Sequence, residues 1–392
     1  MKPSTRLILT LTLSLTLTAC GDDGGGSAAP PLTSADLLAP GSYGVGVTTM
    51  IFTDTSRPTM PNGTFPGSAT RVLVTEIWYP AAPTPGAPLE EQRDAPLARP
   101  DARCPLIVNS HGFAGNRTDT RLSSLLHLVT HGYLVAAPVF PLTNGNAPGG
   151  ATILDMPQQP GDVSFVIDQL LALDGETGSR FFATVDSERI GLSGTGAGAL
   201  TTYLAAFHPT LRDPRVRAAA PIANSLQGFS EAFFDNADSA LLILDGELNA
   251  YVPYEGSVAS FGQAHAPKYL AIVADGTLAG FSQIGCPALE SVPNADEVGC
   301  LVYPYRGQVV YAPELFDLLG GADAGLTPWN FRACVQIEPY PPAIRPCRQH
   351  DLGILAVHAF FDAYLRDDRA ARRFLESGLA AENAEMTVEF DR

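Results

Sequence analysis

Short apolar runs bounded by turn residues alternate along this chain with segments of helical pattern. The first two runs, residues 43–52 and 71–80, are joined by a Pro/Gly-rich loop and predict an antiparallel pair. The later runs cover residues 105–110, 133–140, 189–194, 216–224, 240–246 and 267–274, and the helical segments cover 119–132, 160–173, 197–209, 254–265 and 352–366. Continuous apolar strands separated by helices are typical of parallel sheets that are covered on both faces. The sequence therefore predicts an α/β fold with a mostly parallel central sheet of about eight strands.

The first nineteen residues predict an export signal. Lys2 and Arg6 precede an apolar run over residues 7–17, which is too short to span a bilayer. The exit Leu17-Thr18-Ala19-Cys20 resembles a bacterial lipobox, in which cleavage leaves a lipidated cysteine at the N-terminus. We expect a lipoprotein signal peptide over 1–19 and a chain anchored to the membrane through Cys20, on the periplasmic face or the surface of the bacterial cell envelope. The alternative is an ordinary secreted protein in which Cys20 is incidental.

The residues after Cys20 divide into a tether and a single domain. Residues 20–41 are rich in Gly, Ser, Ala and Pro, which predicts a flexible tether, and residues 42–392 predict one α/β domain. The chain carries 41 acidic against 24 basic residues, a formal net charge of −17. This balance argues against a nucleic-acid partner.

Five cysteines remain once Cys20 is set aside. Export permits disulfides, and the close spacing predicts two pairs, Cys286 with Cys300 and Cys334 with Cys347, in Pro/Gly-rich stretches where a covalent link stabilises most. Cys104 is then left without a partner. The cysteine spacings match no zinc site, so we expect neither a metal nor a cofactor.

The segment Arg189 to Gly198, RIGLSGTGAG, predicts a strand that runs through a Gly-rich turn into a helix. In hydrolases the pattern G-x-S-x-G places a nucleophilic serine on such a turn, flanked by small residues. Here Gly194, Gly196 and Gly198 occupy the fixed positions, so the nucleophile position carries no side chain.

Several stretches together make the chain similar to an α/β-hydrolase of the group that includes platelet-activating-factor acetylhydrolases, chlorophyllases and cutinase-like polyester hydrolases. They are RVLVTEIWYPA, PLIVNSHGFAGNR, HGYLVAAP, QPGDVSFVIDQLL, the elbow with its strand, and ALLILDGELNAYVPYE. The resemblance implies the α/β-hydrolase fold and carboxylester hydrolysis. It also implies that SHGF, Ser110 to Phe113, forms an oxyanion loop whose backbone donors are the N–H groups of Phe113 and Ala197.

The same resemblance places the catalytic triad on residues that lack its chemistry. The nucleophile position maps to Gly196, the acid position in GELNAYVP to Asn249, and the base position in ADGTLAGF to Thr277. Some members take the acid from the loop after the sixth strand, where this chain has Ile222, Ala223 and Asn224, again without a carboxylate. Loss of all three groups removes about a million-fold of rate and leaves roughly 10³–10⁴ over water.

Substitutes for the triad are few. Ser193 falls inside the strand, where we expect a packed hydroxyl, and Thr195 falls one residue before the turn. Asp245 and Glu247 lie near the acid position, where carboxylates are more often solvated or helix-capping than catalytic. The remote base candidate is His350, on a predicted loop. The other histidines are assigned to the oxyanion loop, to helices or to the far end of the eighth strand, and they are His111, His127, His131, His208, His265 and His358.

Three functions follow from these residues. The first is a pseudoenzyme that binds an apolar ester, a lipid or a protein ligand without cleaving it. The second is an active carboxylester hydrolase with a site rebuilt on Ser193 or Thr195, and the third is a structural envelope protein whose pocket has collapsed. Phe229, Phe233 and Phe234 follow the sixth strand, where related folds carry a lid, but we expect them to be ordinary core.

Overall fold

The structure is a computed structural model that describes residues 31–117, 124–223, 227–281, 285–303, 306–307 and 312–392. The signal peptide and Cys20 lie outside the described residues. Residues Leu32–Arg392 form one compact unit. Among the helices of the described residues, none has both the length and the apolar character that crossing a membrane requires.

A ten-stranded sheet forms the centre of the molecule. Its strands are β1 (Gly44–Asp54), β2 (Arg71–Ala81), β3 (Glu91–Arg93), β4 (Cys104–Ser110), β5 (Leu134–Pro138), β6 (Val185–Thr195), β7 (Val216–Ile222), β9 (Ala240–Gly246), β10 (Lys268–Val273) and β12 (Met386–Asp391). The spatial order is β12-β10-β9-β7-β6-β4-β5-β2-β1-β3. The two remaining short strands, β8 (Gly228–Phe229) and β11 (Leu326–Thr327), pair with each other.

All eight predicted strands are present, and the six from β4 to β10 in the central sheet run parallel to one another, as predicted. The predicted antiparallel pairing of β1 with β2 is also confirmed. Two edge strands, β3 and β12, were not predicted. Each is short and mostly exposed or half-buried, so neither shows the apolar run that marks the central strands.

Helices cover both faces of the sheet. They are α1 (Ser34–Leu38), α2 (Leu125–Thr130), α3 (Gln159–Gly175), α4 (Ala197–Phe207), α5 (Glu231–Phe234), α6 (Glu255–Gln263), α7 (Ala295–Val302), α8 (Pro313–Leu318), α9 (Pro346–Leu365), α10 (Arg369–Arg373) and α11 (Leu379–Glu382). Successive residues of a strand point to opposite faces, so Val108 joins the hydrophobic cluster under α3 and α4, while Ile107 joins the cluster under α2 and α9. Phe229, Phe233 and Phe234 are buried in the first cluster, which confirms that they are core.

The N-terminal segment differs from the predicted tether, which was drawn through residue 41. Thr33 and Asp36 form a capping box that starts α1, and Leu37 is 2% exposed within the second cluster. Apolar contacts of its leucines and hydrogen bonds to the carbonyl oxygens of Leu37 and Ala39 dock this segment on the domain, although its composition is that of a linker.

The disulfides join different cysteines from those predicted. Cys286 pairs with Cys347, and Cys300 pairs with Cys334. The predicted pairing by proximity in sequence is wrong because the chain between residues 286 and 347 folds back on itself, which makes one bond enclose the other. Cys104 is a free, buried thiol, and burial raises its pKa to about 12.

The C-terminal part is longer than the predicted closing helix. The last long helix, α9, begins at Pro346 rather than at residue 352, so His350 lies in a helix and not on a loop. Pro at the first helical position is typical of such a start. After α9 the chain adds α10, α11 and β12, which pairs antiparallel with β10 at the sheet edge.

Candidate functional site

The site is built around the sharp turn at Gly196. Strand β6 lies between β4 and β7, and Gly196 follows its last residue and precedes α4. Gly196 has φ of +59° and ψ of −115°, a conformation that side chains rarely adopt. A Cβ placed on it would touch nothing nearer than Leu278 Cδ1 at 4.0 Å. The turn therefore has the geometry of a nucleophile elbow with an open space where the nucleophile would stand.

The flanking glycines are required by close contacts. A Cβ on Gly194 would lie 2.3 Å from the carbonyl oxygen of Gly198, and one on Gly198 would lie 2.1 Å from that of Ser110. These distances leave no room for any side chain. The glycines at both flanks thus serve the tight turn, whereas the central one leaves a position vacant.

Asn249, at the predicted acid position, is an amide with a local structural role. Asn249 is 2% exposed, its Oδ1 accepts hydrogen bonds from the backbone N–H groups of Tyr251 and Val252, and its Nδ2 donates to Asp245 Oδ1 at 3.0 Å. Its side chain thereby shapes the loop that follows β9. The Oδ1 atom, which would have to accept a hydrogen bond from an imidazole in order to orient it, already accepts two backbone hydrogen bonds.

Asp245 is a buried carboxylate, contrary to the expected solvated or capping role. Besides Asn249 it accepts from the N–H of Gly246 at 2.8 Å and from Ser257 Oγ at 2.7 Å, and it is fully buried. Burial raises its pKa to about 7. Glu247, in contrast, is exposed, as expected.

Thr277, at the predicted base position, likewise forms hydrogen bonds that fix the local backbone. Thr277 is 1% exposed and its Oγ1 accepts from the N–H of Gly280 at 3.1 Å. Its own N–H and carbonyl are bonded to the side-chain amide of Gln349, at 2.9 and 2.6 Å. Gln349 of α9 thus fixes this loop, and Thr277 stands at the position predicted for the base.

One carboxylate joins the acid and base loops. Asp296, at the start of α7, is fully buried and accepts from the N–H groups of Ala250, Leu278 and Ala279 at 2.8–3.0 Å. The N–H of Leu248 also donates to the carbonyl of Gly276 at 2.7 Å. The structure therefore brings the loops of Asn249 and Thr277 together. The Thr277 loop also reaches the elbow, because the Leu278 side chain lies beside Gly196.

The loop predicted to form the oxyanion hole lies beside the elbow. Ala197 is the first residue of α4, where backbone N–H groups have no partner within the helix. Phe113 is half-buried against the first hydrophobic cluster. His111 is held on both sides, by the carbonyl of Gly112 at Nδ1 and the N–H of Phe140 at Nε2, and burial lowers its pKa to about 4. It is therefore neutral and fixed. The donor roles of Phe113 and Ala197 remain predictions.

The proposed substitutes are not assembled into a catalytic group. Ser193 is fully buried and donates to the carbonyl of Ala220 at 3.0 Å, and Thr195 is half-buried at the strand end. His350 is half-buried in α9, and its electrostatic neighbours are Asp351 and His127. Burial lowers the pKa of His350. Ile222 and Ala223 are buried apolar residues, and Asn224 lies outside the described residues.

Two of the remaining histidines are in local contacts away from the elbow. His208 caps the chain after α4 and pairs with the carbonyl of Leu319 at 2.9 Å, and His265 lies at the surface 2.8 Å from Asp235. His127, His131 and His358 cluster between α2 and α9. A polar groove of about 510 Å³ lies at the amino ends of β7 and β9, whereas Gly196 lies at the carboxyl end of β6. The groove is lined by Arg212, Arg217 and Arg372 among others.

Comparison with known proteins gives a fold but no family. No family model matches the chain, and no curated protein matches it. The mostly parallel sheet and the strand–turn–helix elbow at Gly196 correspond to the α/β-hydrolase fold. Among solved structures, the chain is similar to a ferulic acid esterase from Streptomyces cinnamoneus at 2.4 Å resolution, with a TM-score of 0.54, 20% identity, and coverage of 91% of this chain and 99% of that chain.

Replacing Asp245 with asparagine is expected to change how stability depends on pH. The folded-state pKa of Asp245, about 7, lies above its ordinary value of 3.8. Between these values the folded protein retains a proton that the unfolded chain has lost, so the wild-type free energy of unfolding falls as pH rises, with a slope approaching about 1.4 kcal/mol per pH unit from this group. The asparagine variant lacks this term. Urea unfolding at pH 4.5, 6 and 8 should show the variant gaining on the wild type towards pH 8, and a difference that does not vary with pH would contradict the assignment.

The sequence predicted a solvated or capping role for Asp245 and no role for Asp296, although both positions carry a local signal. Asp245 ends the apolar run ALLILDG, and a charged residue at the end of a buried strand is expected to have partners. Asp296 follows Asn294, whose side chain caps α7. The Asn-x-Asp pattern at Asn294 and Asp296 is typical of a helix start. The contacts of the Asp296 carboxylate, however, depend on how the disulfide-linked segment around it folds.

Proposed function

We propose that this chain is a catalytically inactive α/β-hydrolase-fold lipoprotein of the bacterial cell envelope, which binds an apolar ester or acyl group without cleaving it. The observation that carries the proposal is Gly196, where the strained turn persists and the space for a nucleophile is open. The ligand class follows from the half-buried Phe113 and from Leu278 beside that space.

The absence of a base supports inactivity more strongly than the absence of a nucleophile. A hydroxyl nucleophile needs an imidazole within hydrogen-bond reach. Thr277, at the predicted base position, accepts a hydrogen bond from the N–H of Gly280. Both ring nitrogens of His111 already have hydrogen-bond partners. Neither group could therefore take the proton of a serine introduced at the elbow.

Ligand binding is supported by the vacant elbow together with the predicted donors. A carbonyl oxygen placed between the N–H groups of Phe113 and Ala197 would have its acyl carbon close to Gly196, where a serine side chain would otherwise stand. Glycine leaves this space to the ligand. Because the named activity of the structural neighbour is on ferulic acid esters, a ferulate ester is a suitable first probe beside a nitrophenyl octanoate.

The envelope location rests on the lipobox-like exit at Cys20. Replacing Cys20 with serine should prevent incorporation of radiolabelled palmitate in a bacterial host and release the protein from the membrane fraction. Equal labelling of the wild type and the variant would contradict the lipid anchor.

Turnover of a short-chain nitrophenyl ester tests inactivity. We expect the wild type to match a Ser193→Ala, Thr195→Val double variant, and we expect Gly196→Ser to raise the rate by less than about 10-fold, because the triad acts as a unit. Wild-type turnover that disappears in the double variant would show a rebuilt site and support the active carboxylester hydrolase instead.

Binding is tested by filling the vacant position. Gly196→Leu should abolish binding of ethyl ferulate and nitrophenyl octanoate, measured by calorimetry. The matched control is Gly86→Leu, since Gly86 also has a positive φ and no atom within 4 Å of an added Cβ. Equal affinities in the two variants would show that the ligand does not occupy the elbow, and no binding by the wild type would favour the structural envelope protein.

A further inference from the structure

Three histidines converge on the face of the sheet that α2 and α9 cover. His127 lies in α2, His131 follows that helix one turn later, and His358 lies in the middle of α9. Each histidine has a ring nitrogen that lies within 4.8 Å of a ring nitrogen of the other two. The ring centroids are 4.3–5.2 Å apart. His127 and His358 are buried, and His131 is half-buried. The sequence predicted no metal here, although two histidines four residues apart on a helix are a recognised ligand spacing.

Each imidazole is oriented by a backbone carbonyl of the segment that contains α1. The Leu37 oxygen lies 2.8 Å from His127 Nε2 and 3.0 Å from His358 Nδ1, and the Ala39 oxygen lies 3.1 Å from His131 Nε2. Metal-ligating histidines usually donate their second ring N–H to such an acceptor. An imidazole that donates to a carbonyl from one ring nitrogen carries a lone pair on the other.

The second ring nitrogen of His358 is buried and faces a carboxylate. Its Nε2 lies 3.3 Å from Asp362 Oδ2. Ligand bonds of 2.0–2.2 Å in a tetrahedral site place two ligand atoms about 3.3 Å apart. The other oxygen of Asp362 accepts from Tyr133 Oη at 2.6 Å, which fixes the carboxylate beside the histidines.

We propose that His127, His131 and His358, with Asp362 as the fourth ligand, bind one zinc-like divalent ion. Four protein ligands close the coordination sphere, which is the arrangement of a structural site rather than a catalytic one. Imidazole and carboxylate together suit zinc. Binding draws the imidazoles inward, because nitrogens now up to 4.8 Å apart must approach to about 3.3 Å. The bound ion links α2 to α9 beside the segment that contains α1.

The test uses full-length protein without a polyhistidine tag, stripped with a chelator and titrated with Co²⁺ and then Zn²⁺. We expect the visible spectrum of four-coordinate cobalt at one equivalent, its displacement by zinc, and a higher Tm with zinc. His131→Ala, which removes the most exposed of the three ligands, should weaken binding at least about 100-fold. His265→Ala is the matched control, since His265 is an exposed histidine outside the cluster.

The proposal fails if the wild type shows no cobalt spectrum at one equivalent, a result that depends on no variant and is decisive even if His131→Ala does not fold. It also fails if His131→Ala and His265→Ala bind cobalt equally well. Neither result bears on the proposed ester binding, since Gly196, Phe113 and Ala197 are not among the four proposed ligands.

Discussion

Replacing Arg71 with leucine is expected to lower the free energy of unfolding by about 3–5 kcal/mol. Arg71 is fully buried and forms paired hydrogen bonds with Asp155 at 2.9 and 3.0 Å and with Asp162 at 2.6 and 2.7 Å. Leucine fills part of the space but leaves the buried Asp155 without its cation and Asp162 with only the partly exposed Arg57, at 2.8 Å. Urea unfolding of the purified variant measures the loss.

The matched control is Arg103→Leu. Arg103 also pairs with an aspartate, Asp174 at 2.7 Å, but its side chain is 49% exposed. Water screens such a pair, so the expected change is within about 1 kcal/mol. Similar losses in the two variants would mean that burial of the Arg71 network does not decide its contribution. The network matters for the site because Asp162 lies in α3, whose Gln159 bonds to Thr201 of the elbow helix α4.

Removing the disulfide between Cys286 and Cys347 by a double serine substitution is expected to cost roughly 4 kcal/mol, the chain-entropy value for a loop of this length. The bond closes 61 residues that include α7 and α8. This segment also delivers Asp296 to the loops of Ala250 and Leu278. We therefore expect weaker binding of the ester probes as well as a lower Tm.

The second disulfide provides the comparison. Cys300→Ser with Cys334→Ser opens a loop of 34 residues and should cost slightly less by the same argument. Reduction of the wild type with dithiothreitol should reproduce the combined loss. A Tm that does not respond to reduction would contradict a stabilising role for both bonds.

The six parallel strands of the central sheet could be predicted from the sequence because each contains a short apolar run that is buried. Val108 and Ile107 are both buried, on opposite faces, so β4 shows no alternation and is easily recognised. The edge strand β12 is mostly exposed and lacks this signal. The start of α9 was also missed, since PCRQH has no apolar periodicity and the helix there is stabilised by contacts such as Gln349 with Thr277.

The candidate site could be predicted only where local sequence determines it. Gly194, Gly196 and Gly198 predict the turn by themselves, whereas the disulfide pairing and the buried contacts of Asp245 and Asp296 depend on how distant segments meet. The histidine cluster is the extreme case, since His127 and His358 are more than two hundred residues apart in the sequence. No local pattern brings them together.

The vacant elbow has a consequence for the stability of the whole domain. A serine with the dihedral angles of Gly196 would carry backbone strain on the order of 1–3 kcal/mol, which glycine largely avoids. Net folding free energies are only about 5–15 kcal/mol, so this relief is a sizeable fraction of what keeps a protein folded. At this turn, a glycine in place of serine both removes the nucleophile and relieves the backbone strain.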